Sequence, residues 1–309
     1  MVEKTKILIT GSKGMLGSKL CQVLADEYEV FGLDLLATRY SLLATRFFTQ
    51  CDITDKDKVV AAIKSATPNL IIHTAAYTDV DGCELNPEKA FAVNAKGTEN
   101  VARAAKEIGA TLFYISTDYV FDGKGDKPYT EADTPNPINT YGQSKLEGER
   151  IIQSLLEKYF ILRSSWLFGP SGKNFVTTIL QKAGERKTLK VVDDQIGSPT
   201  YTLDLADAVK SLLAICYSLL ATNYGIYHIT NRGSCSWYEF AQEIVALKRL
   251  ATQILPVTSK EIKRPAQRPR MSVLDNSKVM NTFNLRLRHW SEALRHFYEK
   301  INPSTSLKS

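Results

Sequence analysis

No Cys-x-x-Cys pair occurs in this chain, and its cysteines (Cys21, Cys51, Cys83, Cys216 and Cys235) are odd in number and widely spaced. That pattern argues against a disulfide framework or a structural zinc site and fits a reduced, cytoplasmic protein. His73, His228, His289 and His296 bring no carboxylate or cysteine at ligand spacing, so no metal site is expected. Long apolar runs are lacking too. The longest, Leu212 to Ala221, contains Tyr217 and Ser218 and is too short to cross a bilayer, so no membrane span is expected. Met1 to Lys6 lead directly into a strand-like run and do not have the form of a signal peptide. A large excess of either sign of charge is lacking, with 39 Lys and Arg against 33 Asp and Glu. A formal net charge of +6 suits an anionic small molecule and is not the footprint of a nucleic-acid binder.

What is present is ordinary globular material: 309 residues, 44% hydrophobic and 23% charged, enough for one large core or two domains. Lys6 to Thr10 form a short apolar strand, followed at once by Gly11, Gly14 and Gly17 and by a helix with Leu16, Leu20 and Leu24 on one face. A second strand, Tyr28 to Leu33, ends at Asp34. Strand, glycines, helix, strand and acid, in that order, form the context of a dinucleotide fingerprint. The glycines let the backbone turn and approach a pyrophosphate, the helix N-terminus faces it, and Asp34 accepts from ribose hydroxyls. The first two glycines are three apart, which departs from Gly-x-Gly-x-x-Gly; the plainer alternative is a glycine-rich turn of any α/β fold.

The alternation continues. Asp52 to Asp55 can cap a helix running to about Ala66, and Asn69 to His73 read as a buried parallel strand ending in Thr74, Ala75, Ala76 and Tyr77. Asn86-Pro87 opens a helix whose stripe is Phe91, Asn94, Thr98, Val101, Ala105 and Ile108. Asn94 either satisfies a neighbouring backbone group or positions water or Lys145. Strand Thr111 to Ile115 then delivers Ser116 and Thr117. The expected fold is a doubly wound parallel sheet of the Rossmann type, with ligands at the carboxyl ends of its strands. After Tyr159 to Arg163 the regular alternation breaks down. Helices are expected over Asn174 to Ala183, Tyr201 to Tyr217 and Trp237 to Leu250, and a strand over Gly225 to Thr230. We expect a dinucleotide-binding domain of residues 1–165 plus about 200–230. A smaller, discontinuous α/β substrate-binding domain takes about 166–199 plus 231–300. Tyr40 to Thr45 recur word for word as Tyr217 to Thr222, a match without a fold period and without a physical account.

Tyr141 and Lys145 are four apart and so share a helix face. An ammonium beside a phenol favours the phenolate, which would bring the tyrosine toward neutrality and make it a proton donor and acceptor. Thr117, at a strand end, could aim a hydroxyl at the same substrate oxygen. The bland alternative for Tyr-x-x-x-Lys is an exposed helix face. Arg264, Arg268 and Arg270 lie on a segment stiffened by Pro265 and Pro269; it reads either as a solvated basic loop or as a clamp for a diphosphate, with Arg268 first.

Gly11-x-x-Gly14-x-x-Gly17, the block Ser116 to Gly123 and Tyr141-x-x-x-Lys145 resemble the extended short-chain dehydrogenases/reductases. Val191 to Thr200, Trp237 to Phe240 and Arg268 to Asp275 are similar, more narrowly, to the dTDP-4-dehydrorhamnose reductase family. The resemblance runs from residue 5 to about 300 and departs around 35–47 and 215–223. It implies hydride transfer from NADPH or NADH to the C4 ketone of a dTDP-linked 4-keto-6-deoxysugar. Tyr141 would be the proton donor, Lys145 would hold the nicotinamide ribose, and Thr117 would bind the ketone oxygen. Cofactor contacts are expected from Gly11, Lys13, Gly14, Met15, Leu16, Gly17, Asp34, Asp52, Ile53, Ala75, Ala76, Tyr77, Asn94, Tyr141 and Lys145. Substrate contacts are expected from Thr117, Asp118, Tyr119, Val120, Trp166, Asn174, Gln195, Thr200 and Arg268, with core packing the alternative for Trp166. The product would be dTDP-L-rhamnose, made by a monomer or homodimer. The alternatives are the 6-deoxytalose epimer and a non-catalytic subunit resembling the regulatory subunit of methionine adenosyltransferase. The opposed charges of Asp34 and of Lys13 with Arg39 suggest use of both cofactors.

Overall fold

The computed structural model describes residues 4–36, 47–218 and 223–301. The first part of the chain builds β1 (Lys6–Thr10), α1 (Met15–Leu24), β2 (Glu29–Asp34), β3 (Phe47–Gln50), α2 (Lys56–Ala66) and β4 (Leu70–His73). Two short helices follow, α3 (Val80–Leu85) and α4 (Pro87–Phe91), then a π-helical turn (Ala92–Gly97), α5 (Thr98–Ile108), β5 (Thr111–Thr117), α6 (Thr140–Leu155) and β6 (Tyr159–Ser164). The remainder runs β7 (Leu167–Phe168), α7 (Phe175–Glu185), β8 (Thr188–Val192), β9 (Ile196–Gly197), β10 (Thr200–Tyr201), α8 (Thr202–Ser218) and β11 (Gly225–His228). It closes with β12 (Cys235–Ser236), α9 (Trp237–Leu247), β13 (Gln253–Val257), α10 (Ser277–Phe283) and α11 (Trp290–Ile301).

Seven strands pair in parallel in the order β11-β6-β5-β4-β1-β2-β3. The strands near the middle of this sheet are apolar without interruption because both of its faces are covered. Side chains alternate between those faces. Ile7 and Ile9 join the core beneath α1 and α8, while Leu8 joins the opposite core beneath α2 and α5. Each such fully buried aliphatic side chain contributes about 1.5–3 kcal/mol. The order reverses beside β1, so its carboxyl end opens on a crevice.

Apart from β11, the described residues of the remainder join no large sheet. This second part is tied by two-stranded ladders, β7 with β10, β9 with β12 and β8 with β13. Its core is aromatic, with Phe168, Tyr201, Phe240, Trp290 and Phe297 packed together. Val279, Phe283 and Leu287, late in the chain, return to the core beneath α1 and α8.

Side-chain caps set several of the helix starts. Asp55 accepts from Lys58 N at 3.2 Å to cap α2. Asn139 accepts from Gly142 N at 2.8 Å to cap α6, a bond of about 1 kcal/mol that fixes where Tyr141 and Lys145 begin. Asn139 also donates to the Gln267 carbonyl at 2.8 Å, tying α6 to the C-terminal segment. Two features depart from expectation. The helix after Asn86 is broken by the π turn, which turns Phe91 outward to 38% exposure. The helix from Trp237 stops at Leu247. Tyr40 to Thr45, Arg39, and the last four residues of Tyr217 to Thr222 lie outside the described residues.

Candidate active site

The glycine turn after β1 is built to close tolerances. Gly11 has φ 65°, and a Cβ there would lie 2.7 Å from Ala75 N. A Cβ on Gly17 would lie 2.1 Å from the Gly11 carbonyl oxygen, so only glycine lets α1 start against this turn. Gly14 caps α1 without a side-chain bond, leaving the helix N-terminus free to face an anion. At the end of β2, Asp34 Oδ2 accepts from Lys13 N at 2.9 Å and Oδ1 from Leu36 N at 3.2 Å. The Lys13 ammonium donates to the Leu36 carbonyl and lies 3.8 Å from the Phe48 ring centroid.

A cleft of ≈ 780 Å³ runs across these strand ends. Of the residues expected to hold the cofactor, Gly11, Lys13, Gly14, Met15, Leu16, Gly17, Asp34, Asp52, Ile53, Ala75, Ala76, Tyr141 and Lys145 line it. A narrow glycine cradle, an uncapped helix N-terminus and a carboxylate at the second strand are the donor set that a dinucleotide needs, so the residues present fit the group. Tyr77 and Asn94 do not line the cleft. Asn94 is 1% exposed and spent on the backbone of Tyr77, accepting from its N–H at 2.8 Å and donating to its carbonyl at 3.0 Å. It also donates to Ser144 Oγ at 3.0 Å. Of the two readings of Asn94, backbone satisfaction is what its bonds describe, and the π turn is what swings it onto Tyr77.

Thr117, Tyr141 and Lys145 all line this cleft, with the Thr117 hydroxyl close enough to Tyr141 to act on its phenol. Lys145 is 3% exposed; its ammonium donates to the Ile115 carbonyl at 2.7 Å and sits 3.9 Å from the Tyr114 ring centroid. Burial pulls the Lys145 pKa down to about 7, against the nearby charge of Glu149. Tyr141 differs from the simple helix-face argument. Its pKa is raised, first by burial, with the Thr117 hydroxyl pulling the other way and the charge of Asp118 adding to the rise. The Lys145 ammonium is engaged by Ile115 and Tyr114, and withdrawal from water outweighs the favour that a neighbouring cation would give the phenolate. Tyr141 is therefore held as a protonated phenol.

Behind this trio lies a buried polar layer. Ser116 donates to Glu149 at 2.5 Å, and Arg163 binds the same carboxylate at 2.6 Å with both side chains almost wholly buried. His73 is wholly buried between Thr10 and Thr98, 2.6 and 3.0 Å away, and burial lowers its pKa to about 3.

On the substrate side, Thr117, Asp118, Tyr119, Trp166 and Asn174 line the cleft. Asn174 also caps α7, accepting from Thr177 N at 3.1 Å, and donates to the Gly169 carbonyl at 2.8 Å. Val120 is fully buried with Phe121, Leu146 and Leu274. Thr200 is buried in a ladder with β7, donating to the Ser198 carbonyl at 3.2 Å, and Gln195 is 7% exposed; neither lines the cleft. Arg268 is elsewhere and occupied. Its two terminal nitrogens bind Asp81 Oδ1 and Oδ2, each at 2.7 Å. The guanidinium fork has found a carboxylate 187 residues away in sequence, a partner that no local pattern reveals.

The cleft also holds residues that sequence reasoning missed. Trp237, read there as a helix start and as part of a family motif but not as a site residue, stacks on Trp166 with ring centroids 3.4 Å apart and planes 5° from parallel. Trp166 takes a left-handed φ of 48°, an uncommon conformation for a bulky residue, and its indole covers Gly197, where a Cβ would lie 2.4 Å from the ring. Lys89 and Lys173 add cations at the rim. Their signal was weak: single lysines on helix and loop surfaces.

Comparison with known proteins agrees across the chain. Residues 5–302 match the family described as RmlD substrate binding domain. The spore coat polysaccharide biosynthesis protein SpsK of Bacillus subtilis is 40% identical, over 96% of this chain and 98% of its own. A dTDP-4-dehydrorhamnose reductase of Aggregatibacter actinomycetemcomitans is also 40% identical, over 94% and 97%. The crystal structure of dTDP-4-dehydrorhamnose reductase from Bacillus anthracis in complex with NADP superposes with a TM-score of 0.86 at 40% identity, covering 96% of this chain and 99% of that one.

Proposed function

The chain belongs to the dTDP-4-dehydrorhamnose reductase family, and from that premise we propose that it reduces the C4 ketone of dTDP-4-dehydro-L-rhamnose to the alcohol of dTDP-L-rhamnose. The observation that carries this reading is the meeting of Thr117, Tyr141 and Lys145 in one cleft with the glycine turn of β1. NADPH or NADH, when bound, supplies the hydride. The Gly11 to Gly17 turn and the start of α1 would hold its diphosphate, Asp34 its adenosine ribose, and Lys145 its nicotinamide ribose. Asp52 and Ile53 would border the adenine, and Ala75 and Ala76 leave room beside the diphosphate.

The protein's own part is positioning and proton supply. Thr117 orients the ketone oxygen. Tyr141, protonated because it is buried, gives its proton to that oxygen as the carbon gains hydride, so the ketone becomes a secondary alcohol. Trp166 and Trp237 wall the sugar side. Residues 1–165 with about 200–230 hold the dinucleotide, and 166–199 with 231–300 the sugar nucleotide. The chain works as a monomer or homodimer on a small molecule, with no nucleic-acid partner. A cytoplasmic location fits its described cysteines, which are buried free thiols.

The test is oxidation of NADPH on adding the dTDP-linked ketosugar, with the product's C4 configuration mapped by NMR. Rhamnose supports the reading. A 6-deoxytalose product would replace it with the epimeric reductase, and no turnover with either cofactor would favour the non-catalytic subunit.

A further inference from the structure

Asp118 follows Thr117 on the wall of the cleft and is 2% exposed. Its two oxygens differ. Oδ1 lies 3.1 Å from Thr117 Oγ1, whereas Oδ2 is buried without a hydrogen bond of good geometry, the Ser272 hydroxyl acting on the carboxyl only from a poorer position. Thr117 Oγ1 already accepts from Tyr119 N at 3.1 Å. A hydroxyl has one hydrogen and two lone pairs. Were Asp118 a carboxylate, it could only accept. The single Thr117 hydrogen, for which the Tyr141 phenol oxygen also competes, would then be spent on it, with none left for a carbonyl oxygen in the cleft. Were Asp118 a neutral acid with its hydrogen on Oδ1, it would fill the second lone pair of Thr117 and free that hydrogen. Leaving Oδ2 poorly partnered is also far less costly for a neutral acid than for a buried anion.

We propose that Asp118 is a positioning residue: kept neutral, it donates to Thr117 and so turns the Thr117 hydroxyl hydrogen toward the carbonyl oxygen of the substrate. This rests on the reductase reading of the same site. The two bonds then run in one direction, Asp118 to Thr117 to substrate, and each polarises the next.

The surroundings agree. Burial raises the Asp118 pKa to about 7, while the Ser272 and Thr117 hydroxyls pull it the other way. The titratable groups around it are Tyr119 beside it and Tyr141 on α6, both of which feel its charge. Beyond Tyr119 lie Arg268, Arg264 and Asp81. The acid is thus neutral below about pH 7 and becomes an anion above it. Donation to Thr117 is lost as pH rises.

Two measurements on the full chain test this. The first is pH-difference infrared spectroscopy. Wild type should show the C=O stretch of a neutral carboxylic acid well below pH 7, lost with a midpoint near pH 7 and absent from Asp118→Asn. The second is kcat against pH. Wild type should lose activity through that midpoint. Asp118→Asn, whose carboxamide can still donate to Thr117, should turn over several-fold more slowly, with the Asp118 share of that fall removed and only the Lys145 share left. Asp118→Ala, which has no donor, should be about 10-fold slower again, the scale of one hydrogen bond. Absence of the acid stretch, or an asparagine variant no better than the alanine variant, overturns the proposal. A wild type that reduces no ketosugar defeats the reductase reading instead, and the infrared result still decides whether Asp118 is neutral.

Discussion

The two parts of this molecule contribute to one cleft by different means. The sheet part presents its groups at strand ends: Gly11 after β1, Asp34 at the end of β2, Thr117 at the end of β5. Backbone ladders set their places, and the side chains are consequences of register. The second part presents Trp166, Asn174 and Trp237 from two-residue ladders and helix caps. There the side chains hold the backbone. Asn174 caps α7, Ser236 caps α9, and two stacked indoles close the wall. Under the proposed function, the chemistry falls to the sheet part and recognition largely to the part fastened by side-chain contacts, so substitutions in the two should move different quantities.

The sharpest break of that contrast is Tyr141→Phe. Removing the phenolic proton should lower kcat by about 10²-fold or more while the affinity for NADPH is kept, because the ring still packs against Tyr119. Turnover within a few-fold of wild type would take Tyr141 out of the mechanism. The next test crosses the two parts. Arg268, 8% exposed, grips the half-buried Asp81. Arg268→Ala should cost about 1.5–3 kcal/mol in urea unfolding, nearer the lower figure because Asp81 keeps some water. Asp81→Ala should cost a similar amount and the double variant little more. An unchanged stability with a tenfold rise in substrate KM would instead make Arg268 a diphosphate ligand.

The last test concerns acid, where the effect per ring and per pH unit is the smallest of the three. The His73 pKa falls from 6.5 to about 3 on burial, and the His228 pKa does the same. Below 6.5 the unfolded chain takes protons that the folded rings refuse. Stability is therefore full above pH 6.5 and declines as pH falls toward 3, by about 1.4 kcal/mol per unit for each ring. Both rings lie in the main sheet. His73→Asn should show a shallower decline of the urea midpoint between neutral and acid pH; an identical slope would mean that His73 is already charged in the folded protein.

Much of the sheet part is legible in the sequence because buried parallel strands and amphipathic helices leave period and capping marks. Lys6 to Thr10, Asn69 to His73, Asp55 and Asn86-Pro87 are such marks. The remainder is written in long-range contacts. β7, β9, β10 and β12 are two residues each, too short for any period. The π turn that turns Asn94 onto Tyr77 interrupts an otherwise regular stripe. Trp237 reads as a helix residue until α9 is docked against Trp166. The Tyr141 expectation went astray for a similar reason: residue spacing gives the neighbour's charge, but the depth of burial that outweighs it is a property of the folded chain.

The indole stack has a consequence for observation. Two of the chain's three tryptophans form one van der Waals pair, each from a different stretch of the wall. Their absorbing planes are nearly parallel, so their excited states are shared rather than separate. Parting α9 from the turn at Trp166 would end that sharing. The near-ultraviolet circular dichroism of this protein, without any added dye, should therefore report whether the two indoles on the wall of the cleft stay stacked.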